Sequence, residues 1–322
     1  MTKRRYGCMY IGIDLGGTNI AAGIVDENGR IVCKGSVPTL KERHYSEIIK
    51  DMAELAKKLT ADAGYGIDEI QAVGIGCPGT VDNSRGMVVY ANNIKMDHVP
   101  LADVFKKYID APVNVENDAN AAAYGEYIAN GKGVDSYILM TLGTGVGSGI
   151  IINGKIYRGF NCAGAEFGHS SIVLDGKTCT CGKKGCLEQY ASVTALIEQT
   201  EKKMRECPDS LMHEWIKKHG RISGRTAFEC AKAGDKAARE VKEQYIRYIA
   251  EGVSNIINIF QPEMFVIGGG ISREGDELLV PIKKFVYEND YNKYMPKTEI
   301  KIAELFNDAG IVGAAMAAVN RA

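Results

Sequence analysis

No stretch of this chain approaches the ~18 consecutive apolar residues that read as a membrane span, and no cluster of Lys and Arg forms a basic stripe. Lys plus Arg number 39 against 40 Asp plus Glu, a net charge of -1. A nucleic-acid binder carries a basic surplus to neutralise phosphates, so neither a membrane nor a nucleic acid is an expected partner. Proline is scarce, 8 of 322 residues, and no low-complexity linker interrupts the chain. Collagen, coiled coil and disordered tail are excluded with it, because 45% apolar and 25% charged residues is the balance of a globular protein. The N-terminus also lacks a secretory pattern. Lys3, Arg4 and Arg5 precede a short apolar run, Tyr6 to Ile13, but Asp14 ends it and no small-residue cleavage pattern follows. A cytoplasmic protein is expected, with its nine cysteines as free thiols or metal ligands.

Glycine is what the chain has in surplus. It supplies 37 of 322 residues, and with so little proline this points to backbone held close to something rather than to linkers. Eleven of the 37 lie between Gly143 and Gly185. At a prior of about 150 residues per domain, the length corresponds to two domains.

The order of elements is readable. Tyr10 to Leu15, a Gly-Gly turn, Ile20 to Val25, Asn28-Gly29 and Ile31-Val32 read as strands joined by tight turns. Residues 44–63 read as a helix with Ile48, Met52, Leu55 and Leu59 on one face. Ala72 to Cys77 is a buried strand ended by Pro78-Gly79, Pro100 to Ile109 a short helix, and Val113 to Glu116 a strand. Asp118 or a neighbour caps a helix running to about Asn130. Tyr137 to Leu142, the turn from Gly143 to Gly149, Ile150 to Ile152, Asn153-Gly154 and Lys155 to Tyr157 then repeat the opening order roughly 126 residues later. An internal duplication is the economical explanation. Helices dominate from Leu187 to Phe260. A strand (Met264 to Ile267), a helix (276–288), a strand (Ile300 to Leu305) and a small-residue helix (309–320) finish the chain. Strands alternating with helices argue the α/β class.

Two familiar phosphate motifs fail. Gly149 to Lys155 has the P-loop spacing, but Ile156 follows the lysine and offers no hydroxyl. The glycines at 143, 145, 147 and 149 do not fit G-x-G-x-x-G, because position 148 is Ser, and Gly268-Gly269-Gly270 fails with Arg273. A dinucleotide oxidoreductase is disfavoured.

Three constellations carry chemistry. In Asp14-Leu-Gly16-Gly17-Thr18-Asn19, an acid at a strand end precedes a flexible turn with a hydroxyl and an amide, a plan for Mg²⁺ and phosphate. A hairpin turn with a locally bonded Asp14 is the alternative. The second turn, with Thr141, Gly143, Thr144 and Gly145, favours the first reading, since two turns can grip a triphosphate, and Gly268, Gly269 and Gly270 leave room for a base or ribose. Next, Asp118 in Asn117-Asp118 stands where a carboxylate can take a proton from a bound hydroxyl, with a helix N-cap as the alternative. Last, His169, Cys179, Cys181 and Cys186 can surround one tetrahedral Zn²⁺, with free thiols as the alternative. Glu166 and Glu188 flank that site and, with the histidine, suit recognition of sugar hydroxyls, with ordinary surface carboxylates as the alternative.

Together these motifs resemble the ROK family of sugar kinases and sugar-responsive repressors. The likeness covers nearly the whole chain. It is carried by Asp14 to Asn19, Gly76 to Asp82, Glu116 to Ala121, Leu142 to Gly149, Ala163 to His169, Cys179 to Glu188 and Val266 to Ile271. The run Cys186 to Ser192 is most similar to the glucose-phosphorylating members. The resemblance implies an actin-like ATPase (ribonuclease H-like) fold of two α/β domains around a cleft. The expected limits are 1–117 plus 306–322 for a small domain to which the C-terminal helix returns, and 118–305 for a large one with the zinc loop. It implies Asp118 as general base, and Gly79, Asn92 or Asn93, Asn117, Glu166, His169 and Glu188 around the sugar. Asp14 would face Mg²⁺–ATP, the zinc would be structural, and the assembly would be a homodimer or homotetramer.

The implied activity is ATP-dependent phosphorylation of the glucose 6-hydroxyl. The alternatives are a kinase for another hexose (an N-acylhexosamine, mannose, allose or fructose) or a sugar-sensing regulator. Repressor members carry an N-terminal helix-turn-helix, and the 13 residues before Asp14 are too few for one, so an enzyme is expected.

Overall fold

A computed structural model describes residues 7–319. Lys3, Arg4 and Arg5, and the last residue expected in the C-terminal helix, lie outside them. The elements are β1 (Met9–Leu15), β2 (Asn19–Asp26), β3 (Ile31–Pro38), α1 (Tyr45–Asp62), β4 (Ile70–Cys77), β5 (Thr80–Asp82), β6 (Met87–Ala91), β7 (Met96–Val99), α2 (Leu101–Lys106), β8 (Val113–Asn117) and α3 (Asp118–Asn130). There follow β9 (Ser136–Leu142), β10 (Val146–Ile152), β11 (Lys155–Tyr157), α4 (Glu188–Ala191), α5 (Val193–Glu206), α6 (Leu211–His219), α7 (Gly224–Lys232) and α8 (Lys236–Phe260). The chain closes with β12 (Met264–Gly268), α9 (Asp276–Asn289), β13 (Glu299–Ile302) and α10 (Ala309–Val319). Among the described residues no helix is long and apolar enough to cross a membrane.

The duplication read from the sequence is a duplication of topology. Two five-stranded sheets share one plan, β3-β2-β1-β4-β8 and β11-β10-β9-β12-β13, and β5-β6-β7 form a small third sheet. β1 pairs antiparallel with β2 and parallel with β4; β12 pairs parallel with both β9 and β13.

The chain divides into two units. The first holds the described residues through Ser136, then Gly149–Ala165 and the described residues from Glu304. Ile48, Met52, Leu55 and Leu59 of α1 all join its core with the apolar residues of β1 and β4. α10 lies against β1, β4 and α3 backbone to backbone. A Cβ on Gly12 would come 1.9 Å from the Ile311 carbonyl oxygen, on Gly74 1.7 Å from that of Ala314, and on Gly125 2.1 Å from that of Ala309. On Gly313 it would come 1.6 Å from the Ala121 carbonyl oxygen. Much of the glycine surplus therefore serves this helix, outside the 143–185 stretch where the sequence concentrates it. The same packing moves the boundary: the expected limit at residue 117 separates α3 from α10, whereas α3 belongs to the first unit with it.

Buried Glu126 of α3 accepts the N–H groups of Glu304 (2.9 Å), Leu305 (2.8 Å) and Phe306 (3.1 Å). The last strand accordingly stops at Ile302 rather than continuing to Leu305 as its apolar pattern suggests. The second unit, Tyr137–Ser148 and Glu166–Ala303, carries the parallel strands β9, β12 and β13 and helices α4 to α9. Gln261, left-handed at φ 42°, ends α8 before Pro262 as expected.

Candidate functional site

In the first unit three strands deliver their chemistry to one edge. The β1–β4 register pairs Asp14 with Gly76, and the β4–β8 register pairs Cys77 with Asn117. Both Asn and Asp can cap a helix, and here Asn117 does so. Its Oδ1 accepts the N–H groups of Ala119 (3.0 Å) and Asn120 (3.1 Å), while its Nδ2 donates to the Gly79 carbonyl at 3.0 Å. Asp118 is the first residue of α3, and its carboxylate accepts Ala119 N–H at 2.8 Å and its own backbone N–H. Gly79 can be only glycine: its φ is +89° and a Cβ would sit 2.2 Å from the Tyr90 carbonyl oxygen.

Electrostatics single out the same edge. Burial raises the Asp118 carboxyl above its ordinary range, against the opposing bond from Ala119. Burial and then the charge of Asp118 push Asp14 up to about 6. Burial, Asp118 and Asp14 together push the Cys77 thiol well above its usual value. Two carboxylates in this state mark a position where a cation is stabilised.

Beside them the first glycine turn is closed by Gly16 N–H to the Asn19 carbonyl (3.0 Å) and by the Thr39 hydroxyl to the Gly16 carbonyl (2.6 Å). Thr18 and Asn19 are exposed. The nearest atom to a Cβ on Gly17 would be Asn93 Cβ at 4.0 Å. Asn93 thus borders the turn, whereas Asn92 Oδ1 accepts the Tyr90 hydroxyl at 3.4 Å.

Sequence reading assigned no role to Glu116 or Arg158. Glu116 is 2% exposed, and its Oε2 takes Arg158 Nε at 2.7 Å and Nη2 at 2.6 Å. Its Oε1 takes Asn120 Nδ2 (3.2 Å) and Asn117 N–H (3.1 Å). Charge-assisted bonds of this kind are short and directional, and this set fixes the backbone immediately before Asn117-Asp118. The partners are 42 residues apart, so no local pattern announces them.

In the second unit, Thr141 stands opposite Gly268 in the β9–β12 ladder. Gly269 has φ +88° and abuts the Leu142 backbone, while a Cβ on Gly143 or Gly270 would meet open space. Those two glycines are not required by packing, so they suit a backbone approached by a ligand. The turn at Gly143 to Val146 is held from α4 and α5. Val193 N–H donates to the Gly143 carbonyl (2.8 Å), the Thr194 hydroxyl to that of Thr144 (2.8 Å), and Val146 N–H to Glu188 Oε2 (3.0 Å).

The thiol loop follows. A short 3₁₀ turn, Phe167–His169, begins after Glu166 and is tied by Phe167 N–H to Ser148 Oγ at 3.1 Å. Beyond it the chain forms no strand, but isolated bridges, Ser171 to Cys186 and Thr178 to Lys184, and backbone bonds such as Cys179 N–H to the Lys183 carbonyl (2.7 Å) order it. Yet one donor atom each from His169, Cys179, Cys181 and Cys186 all lie within 4.8 Å of one another. His169 Nδ1 and Cys179 Sγ are 3.6 Å apart, and Cys181 Sγ and Cys186 Sγ 3.7 Å. Thiolates at ~2.3 Å from a tetrahedral zinc would be ~3.8 Å apart, and a thiolate and an imidazole ~3.6 Å. The donor set therefore fits that ion. Clustering also separates the thiols. Cys179, despite burial, is brought down to about 7 by hydrogen bonds from Cys181, His169 and Cys186, while burial and the neighbouring thiols push Cys186 up to about 12. Three thiols and an imidazole at these distances are a donor set that a cation would bind with loss of the thiol protons.

Comparison with known proteins agrees with these features. The ROK family model matches residues 10–321. A glucokinase of Streptomyces coelicolor is 40% identical over 317 residues, covering 95% of this chain and 96% of that protein. A glucokinase of Halalkalibacterium halodurans is 36% identical over 306 residues, 94% and 93% of the two chains. The crystal structure of a ROK family glucokinase from Streptomyces griseus, in complex with glucose and AMPPNP, is 38% identical with a TM-score of 0.83, covering 97% of this chain and 99% of that one. With the ordered motifs, the duplicated sheet and these full-length likenesses in hand, the chain belongs to the ROK family and has its actin-like ATPase fold.

Proposed function

We propose that the chain is an ATP-dependent hexose kinase acting on the 6-hydroxyl of glucose, with Asp118 as general base. The observation that carries the reading is the state of Asp118: Asn117 caps the helix in its place, and burial raises its proton affinity. A carboxylate so placed takes the hydroxyl proton as the oxygen attacks the γ-phosphorus. Gly79, Asn92 or Asn93, Asn117, Glu166, His169 and Glu188 are the residues proposed to bind the sugar. Gly16, Gly17, Thr18 and Asn19, then Thr141, Gly143, Thr144 and Gly145, face the phosphates, and Gly268, Gly269 and Gly270 the nucleoside. Asp14 is the residue fitted to Mg²⁺, which supplies charge neutralisation on the phosphates when bound.

His169, Cys179, Cys181 and Cys186 would hold a zinc with no open position, hence a structural one. We propose a reducing, cytoplasmic setting, in which thiols stay free or bind metal. Assembly as a homodimer or homotetramer completes the reading.

A coupled ADP-release assay over a panel of hexoses, with the product located by NMR, tests it. Glucose should give the highest kcat/KM and a 6-phosphate. Preference for an N-acylhexosamine, mannose, allose or fructose overturns the glucose assignment, and no ADP release with any sugar overturns the kinase.

A further inference from the structure

Glu188 does more in this structure than a sugar ligand requires. Its Oε2 accepts Val146 N–H at 3.0 Å, and a Cβ on Gly145 would lie only 2.4 Å from that same oxygen. The carboxylate thus lies directly against the glycine turn. Gly143 N–H is already given to the Gly145 carbonyl at 2.9 Å, so with Val146 N–H taken by Glu188 the donors remaining at the tip are those of Thr144 and Gly145. Glu188 itself is held firmly. It follows Cys186 by two residues, Leu187 N–H donates to the Ser170 carbonyl at 2.8 Å, and Val193 and Thr194 bind the other side of the same turn.

We infer that Glu188 is a positioning residue for the phosphate-facing turn: by fixing Val146 N–H it presents the N–H groups of Thr144 and Gly145 to the nucleotide, whether or not sugar is bound. The inference rests on the reading that this turn faces the phosphates. A residue serving only the sugar would leave sugar-free nucleotide binding untouched.

The test is calorimetric titration of the full chain with Mg²⁺–AMPPNP in the absence of sugar. Glu188→Ala removes the acceptor and should weaken binding about five- to tenfold, in keeping with the net worth of one ordinary hydrogen bond. Glu188→Gln keeps an acceptor oxygen at the same reach and should stay within about twofold of wild type, while losing sugar affinity. Glu188→Asp keeps the charge but is one methylene short, and should behave like Glu188→Ala; it serves if the alanine variant does not fold. Wild-type affinity in both the Ala and Asp variants overturns the inference. So does an equal loss in the Gln and Ala variants, which would assign the effect to charge rather than to the bond. A wild-type chain that binds no AMPPNP overturns the nucleotide reading, and this inference with it.

Discussion

Asp118 stands at the end of a strand whose neighbour β4 is buried at all but one position, and α10 seals the sheet through glycines that leave no room for a side chain. His169 stands at the start of a loop with two isolated bridges and no strand of its own. One region is placed by apolar burial, about 25 cal/mol for each Å² removed from water; the other has four clustered candidate metal-binding side chains where a core would be. The contrast shows two ways of holding a side chain still. A core can tolerate half-buried carboxylates such as Asp14 and Asp118 at its margin because the sheet is stable around them, and the raised proton affinity of Asp118 suits it to take a proton. A loop without a core needs cross-links, and thiols with an imidazole supply them in few residues.

The largest effect that would sharpen the comparison falls on the core-built side. Asp118→Asn should lower kcat by about 10²–10⁴ or more and leave glucose affinity largely intact, because Asn117 and the Glu116–Arg158 pair still hold the backbone. Steady-state kinetics with a separate sugar titration reads both; near-full kcat would remove Asp118 from the base role.

A smaller effect concerns the cost of Asp14. Its carboxyl is raised from 3.8 to about 6, so the folded chain holds this proton more tightly than the unfolded one. Folding stability tied to it is lost as pH rises from about 4 to 6 and stays lost above. Asp14→Asn removes that loss. In urea unfolding without nucleotide, the variant should gain about 3 kcal/mol on wild type at pH 7 and only a small fraction of that near pH 4. A gain of equal size at both values would mean that the charge is not the cause.

What was legible in the sequence is what is local. The glycine turns, the carboxylate at the strand end and the thiol cluster each occupy a few consecutive residues, and each reads as its own chemistry. Asn117 and Asp118 are adjacent and both able to cap, so only the backbone course separates cap from candidate base. Glu116 with Arg158, and Glu126 with the backbone of Glu304 to Phe306, join residues 42 and about 180 apart; no periodicity records such pairs. The role of Gly12, Gly74 and Gly125 depends on a helix near the far end of the chain, and their spacing carries no mark of it. Glu188 was readable as a hydroxyl ligand, but its hold on Val146 depends on how the loop returns to the turn.

The claim that the Asp118 region is built by a core and the thiol loop by the proposed zinc ligands is tested most directly by hydrogen exchange on the purified chain before and after treatment with a zinc chelator. Amides between Glu166 and Glu188 should lose protection, whereas those of β1, β4, β8 and α3 should exchange as before. Uniform loss across both regions, or unchanged protection of the thiol loop once the metal is gone, would contradict the account.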